Sequence, residues 1–101
     1  MSEDSKSAIH EIACDDVMDI STAANLKSLL VGALESGKPV ILDASQVERA
    51  DTAALQLLAS FFHDASAQDQ SIQWREPSDV LVHSSKLLGL STTLNLESAL
   101  H

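Results

Sequence analysis

Basic side chains are scarce in this sequence: six Lys and Arg stand against fifteen Asp and Glu, a formal net charge of −9 at pH 7. A chain so acidic repels phosphate backbones and anionic lipid surfaces, which argues against nucleic acid and against direct membrane contact. Cysteine is confined to Cys14, with no second thiol for an internal disulfide and no Cys or His at metal-ligand spacing, as expected in a reducing compartment. The only aromatic residues are Phe61, Phe62 and Trp74, so a core drawn from a chain that is 45% hydrophobic must be aliphatic. With just three glycines there is no Gly-rich phosphate loop, and intrinsic nucleotide hydrolysis is not expected. No apolar run approaches the roughly 20 residues of a spanning helix. The polar start Met1-Ser2-Glu3-Asp4-Ser5 lacks the charged-then-apolar order of a signal segment, so the expected location is cytoplasmic. At 101 residues the chain has room for one domain and one core.

Residues 1–7 are polar and read as a flexible N-terminal segment, with the domain spanning 8–101. Short apolar stretches over Ala8–Cys14 and Val17–Ile20 flank the turn-prone pair Asp15-Asp16, which predicts a two-stranded hairpin. Ser21-Thr22 offers an N-cap to a helix with Ala23, Leu26, Leu30, Ala33 and Leu34 on one face, ended by Gly37 and Pro39. A strand over Val40–Asp43 and a loop over Ala44–Ala50 lead to a second helix. Its buried stripe is Leu55, Leu58, Ala59, Phe62 and Ala65, widened by Leu57 and Phe61. Ser71–Arg75 alternates as a strand with Ile72 and Trp74 inward. Pro77-Ser78-Asp79 starts a third helix with Val80, Leu81, Ser84, Leu87 and Leu88 on one face and Gly89 as its stop. Thr93–Leu96 reads as a last short strand. The order β-β-α-β-α-β-α-β is an α/β sandwich in which helices cover one or both faces of a mixed sheet.

The stretch from Val40 to Leu58 organises the rest, because a strand of the kind a doubly covered sheet needs, a polar loop and a helix start follow one another directly. Thr52 falls at that helix start, where its hydroxyl could cap unpartnered amides and where a phosphate would meet the positive end of the helix dipole. As a cap alone it is worth about 1 kcal/mol. Asp43 and Asp51 are either turn residues that bond their own backbone or groups that orient Thr52 or a partner. His10, His63, His83 and His101 are scattered without metal-ligand spacing, so no metal site is expected. Ser45, Ser84 and Ser85 have no His-Asp arrangement or Gly-rich elbow beside them, and nucleophilic catalysis has no support.

The segment Val40-Ile41-Leu42-Asp43-Ala44-Ser45-Gln46-Val47 followed by Asp51-Thr52-Ala53-Ala54-Leu55 resembles the signature of the STAS domain, the sulfate-transporter and anti-sigma-factor-antagonist family. Asp19-Ile20-Ser21-Thr22-Ala23-Ala24-Asn25-Leu26 is similar to that family's entry to its first helix, and Pro77–Val80 through Leu87–Leu90 to its third. The resemblance covers roughly residues 8 to 96. It implies a single-domain STAS fold, a mixed four- to five-stranded sheet packed with three to four helices, and a non-enzymatic regulatory module without a cofactor. In the anti-sigma-antagonist branch the hydroxyl residue after the Asp is phosphorylated by a partner kinase, and Thr52 occupies that position. The implied partner is a serine/threonine kinase or anti-sigma factor in a bacterial stress or chemosensory pathway. The alternative is the ATPase of an ABC-type lipid transporter, stabilised by an accessory STAS subunit. The implied partner surface comprises Asp43, Ser45, Glu48, Arg49, Asp51, Thr52, Gln56 and Ser60 on a monomer or weak dimer. Ala54 stands where the family usually has Gly, which is expected to tighten a partner's close approach. Asp15-Asp16 with Asp43 also resembles the magnesium-binding acidic pocket of a response-regulator receiver. The short chain, the missing helix between the first two strands and the lack of a later Lys argue against that reading.

Overall fold

A computed structural model describes residues 8–97. The expected flexible segment 1–7 and the end of the tail lie outside the described residues. Five strands and three helices follow in the order β1 (His10–Ala13), β2 (Val17–Met18), α1 (Ala23–Ser36), β3 (Val40–Asp43), β4 (Arg49–Ala50), α2 (Thr52–Ala67), β5 (Ile72–Arg75) and α3 (Asp79–Leu87). The architecture is the α/β fold expected, with β3 central in a three-stranded sheet of order β1-β3-β5.

Both ladders of that sheet are parallel, pairing Ile12 with Leu42 and Leu42 with Trp74. Alternation along the strands then sorts the side chains. Ile12, Val40 and Leu42 are buried on one face, with Ile72 and Trp74 packed against the same core. Glu11, Ala13, Gln73 and Arg75 are exposed on the other, where Arg75 pairs with Glu11. Among the described residues the apolar run Val40–Leu42 is therefore not fully covered on both sides: Ile41 points to the second face and is only half buried.

The expected hairpin does not form. The chain runs on past Asp15-Asp16 beside the segment after β3: Cys14 N donates to Asp43 O at 2.8 Å, and the amides of Glu48 and Arg49 donate to Asp16 O. β2 then pairs with β4 in parallel, Val17 opposite Arg49. The turn-forming chemistry of Asp16 is spent locally instead, its Oδ1 accepting from Val17 N at 3.0 Å.

α1 buries Leu26, Leu30 and Ala33, and α2 buries Ala54, Leu55, Leu58, Phe61 and Ala65. α1 ends as its composition predicts, with Gly37 left-handed at φ 68° and its amide on Leu34 O at 3.2 Å. The phase of α3 differs from the reading of its sequence. Leu81 faces inward as expected, but it does so with Val82 and Ser85, while Val80, Leu87 and Leu88 are exposed. One step of about 100° per residue separates the two stripes, and both contain enough aliphatic residues to pass for a core face. Thr93–Leu96 forms a turn rather than a strand, with Leu94 N on Leu90 O and Leu96 N on Ser91 O, both at 2.8 Å. Its alternating Leu94 and Leu96 are fully buried by that turn, which closes over Trp74. The indole N–H donates to Leu94 O at 2.7 Å, and the ring stacks on Phe62 with centroids 5.7 Å apart.

Candidate functional site

The β4–α2 junction is built by Asp51. Its backbone is extended (φ −83°, ψ 163°), and its carbonyl accepts from Leu55 N at 3.1 Å, so Asp51 is the N-cap residue and Thr52 the first residue of the helix. The capping role anticipated for the Thr52 hydroxyl is thus not taken up, because the side chain sits one position too far along to reach the first amides from outside. The Asp51 carboxylate does not cap either. It accepts from Arg49 Nε at 3.4 Å, so the start of α2 has no side-chain cap among the described residues. Thr52 is exposed.

A hollow of about 540 Å³ opens around this residue. Its floor is the β4–α2 junction, Ala50, Asp51, Thr52 and Ala53; Ile20 from the β2–α1 loop and Ser84, Leu87 and Leu88 from α3 form its walls. Ile20 is 79% exposed and Leu87 73%, the two most exposed large aliphatic side chains among the described residues. Ile20 is held out by its neighbours. Asp19 Oδ1 accepts from Ser21 N at 2.9 Å and from the Ser21 hydroxyl at 2.5 Å, fixing the loop that presents it. The Ser21 hydroxyl is the main reason the Asp19 carboxyl lies below the usual carboxylate range, with the Ser21 and Thr22 amides adding and partial desolvation opposing. Thr22, the N-cap residue of α1, puts its hydroxyl on backbone carbonyls of the same loop instead of capping.

Of the residues anticipated for a partner surface, the structure brings Asp51 and Thr52 into the hollow and Glu48 and Arg49 beside it on the exposed β4 strand and the loop before it. Asp43 and Ser45 are elsewhere, closing their own turn at the end of β3. Ser45 N and Oγ donate to Asp43 Oδ1 at 3.1 and 2.8 Å. Those two bonds, the amide first, hold the Asp43 carboxyl below its ordinary range, with Arg75 adding and partial desolvation opposing. Gln56 and Ser60 follow Thr52 at four-residue spacing on the exposed side of α2. Ser60 borders a separate, narrow groove of about 90 Å³ between α1 and α2, flanked by Lys27, Val31, Leu57 and Asp64. Ala54 is fully buried, so its methyl meets the core and not an approaching partner.

Sequence reasoning missed Ile20, Ser84, Leu87 and Leu88 as site residues. The available signal was an isoleucine set in the polar run Asp19-Ile20-Ser21-Thr22, and a third helix with more aliphatic residues than one face needs. Among the described residues no three His, Cys, Asp or Glu side chains converge where they could hold a metal ion. Cys14 is buried next to Asp43 and Asp15, and its thiol is pushed up to about 11, by burial first and by the two carboxylates second. It is therefore protonated and unreactive near neutral pH. No helix among the described residues is long and apolar enough to cross a membrane.

The comparison with curated proteins finds no match. The match to a family is nearly complete in length: residues 1–97 fit the family described as "Mlab, STAS domain", and with the α/β architecture above, the chain belongs to the STAS-domain family.

Proposed function

We propose that this protein is a phosphorylation-controlled regulatory module that docks a protein partner on the hollow around Thr52. STAS domains are in general non-catalytic regulatory or protein-interaction domains, and membership of that family supports a regulatory reading of this chain. The observation that carries the finer reading is the position of Thr52: exposed, at the first residue of a 16-residue helix whose start has no side-chain cap, and walled by aliphatic side chains. A kinase can reach such a hydroxyl. A phosphate there adds about −1.5 to −2 charges and is favoured locally by the uncapped amides and the helix dipole. The same charge in the middle of an aliphatic docking surface must be dehydrated when a partner closes over it, so phosphorylation releases the partner. The partner class is a serine/threonine kinase or anti-sigma factor of a bacterial stress or chemosensory pathway, and the working location is the cytoplasm.

A second reading is favoured by the aliphatic walls themselves, since Ile20, Leu87 and Leu88 suit a permanent contact. In that case the protein is an accessory subunit that stabilises the ATPase of an ABC-type lipid transporter, and Thr52 is an unmodified interface residue. Intact mass of the protein purified from its native host, with Thr52→Ala alongside, separates the two. A phosphate present on the wild type and lost in the variant supports the switch. Absence of phosphate under varied growth conditions, with an ATPase co-purifying equally with both forms, supports the permanent subunit.

A further inference from the structure

The hollow around Thr52 continues along α3 as an exposed aliphatic stripe. Val80, half-exposed Ser84, Leu87 and the C-cap residue Leu88 recur at the i, i+4, i+7, i+8 spacing of one helical face, over roughly 12 Å of helix axis. It is separate from the stripe through Leu81 and Ser85 that faces the core. A surface with this period accepts another helix, whose own i, i+4, i+7 side chains interdigitate with it.

The charge around the hollow is one-sided. The segments paired through β2 and β4 carry Asp15, Asp16, Asp19, Glu48 and Asp51, and against these five carboxylates stand Arg49 on β4 and the exposed Lys86 on α3. Asp19 is held in its ionised form by Ser21 and Thr22. A second copy of this chain would bring an equally acidic end, and a net charge of −9, against the first. The occupant that fits both features is different: an amphipathic helix of another protein, with an aliphatic stripe and Lys or Arg along its margins. We infer that this is what the Ile20–Leu87–Leu88 wall binds. The inference deepens the docking reading above and rests on it.

Aliphatic contact supplies the affinity; a basic margin adds orientation and encounter rate, whereas an acidic margin brought against this acidic end is repelled, which excludes a partner of that sign. A phosphate on Thr52 would therefore still weaken binding, because it stands in the aliphatic centre and not at the wet margin.

The test uses the full chain and three synthetic helical peptides of equal length: Leu/Lys with leucines at i, i+4, i+7, Lys/Ser of the same charge without leucines, and Leu/Glu of opposite charge. Calorimetric titration is expected to give one Leu/Lys peptide per protein. The Lys/Ser peptide should bind on the order of tenfold more weakly or worse, and Leu/Glu not at all. The double variant Ile20→Ser with Leu87→Ser, checked for a wild-type circular dichroism spectrum, should lose on the order of tenfold or more in Leu/Lys affinity. Val31→Ser, in the α1–α2 groove, should lose none. The inference is overturned if Leu/Lys does not bind, if Lys/Ser or Leu/Glu binds as tightly, or if the double variant binds like the wild type. Thr52→Glu separates this inference from the switch: unchanged Leu/Lys affinity there, with loss in the double variant, keeps the aliphatic wall and removes the release mechanism.

Discussion

Cys14 shows how burial decides a residue's chemistry. Its side chain is 6% exposed, and burial with two nearby carboxylates takes the thiol from 9.0 to about 11. The folded state thus favours the neutral thiol. The stabilisation is fully present below the unfolded value of 9.0 and is lost as the pH rises through about 11, because the unfolded chain ionises first. Two units correspond to roughly 2–3 kcal/mol at the limit. Melting temperature measured from pH 8 to 11 should fall for the wild type and fall less for Cys14→Val. Asp43 works in the opposite sense. Its lowered carboxyl adds stability above about pH 4 that disappears as the pH drops through its folded value. Its role as the acceptor for Ser45 was readable from the sequence as one of two alternatives, since Asp followed two residues later by Ser is a turn pattern. The role of Asp51 was not readable, because its carboxylate goes to Arg49 across the exposed surface.

The helices separate what local pattern can specify from what it cannot. α1 was legible in extent and in buried face because it has one aliphatic stripe and Gly37 supplies a left-handed residue where it must end, whereas α2 was legible in extent but its face is turned toward Ala54 and Phe61, leaving Ala59 and Phe62 half buried. α3 has two candidate stripes, and only its packing against β4 and the closing turn at Leu94–Leu96 selects Leu81, Val82 and Ser85 for the core. The choice is open to measurement. Leu81→Ala should cost about 2–5 kcal/mol in chemical denaturation, whereas Leu87→Ala should change stability by no more than about 0.5 kcal/mol. At the start of the same helix Ser78 accepts from Leu81 N at 3.2 Å, so Ser78→Ala should cost about 1 kcal/mol in the same assay. Thr22→Ala tests a different bond. The Thr22 hydroxyl ties the β2–α1 loop to Val17 and Asp19, and its loss should loosen Ile20 while leaving α1 in place. Strand pairing was the least legible feature. Asp15-Asp16 has the chemistry of a hairpin turn, yet the neighbouring amides are satisfied by the chain beyond β3, and no local signal marks a partner about 30 residues away.

At the scale of the whole fold, the parallel sheet fixes β3 at the centre and brings three connections to one end: the β2–α1 loop, the β4–α2 junction and the C-terminal part of α3. Thr52 was visible in the sequence as the centre of that end. Its aliphatic walls were not, because Ile20, Thr52 and Leu87 are far apart in the chain and meet only through the fold. Co-purification of partners from the native host, by quantitative mass spectrometry, compares wild type with Thr52→Glu, with Ile20→Ser plus Leu87→Ser, and with Val31→Ser. One partner is expected to be retained by the wild type and by Val31→Ser and depleted at least about tenfold by the other two. Retention by both hollow variants together with loss in Val31→Ser would contradict that expectation and move the docking surface to the groove between α1 and α2.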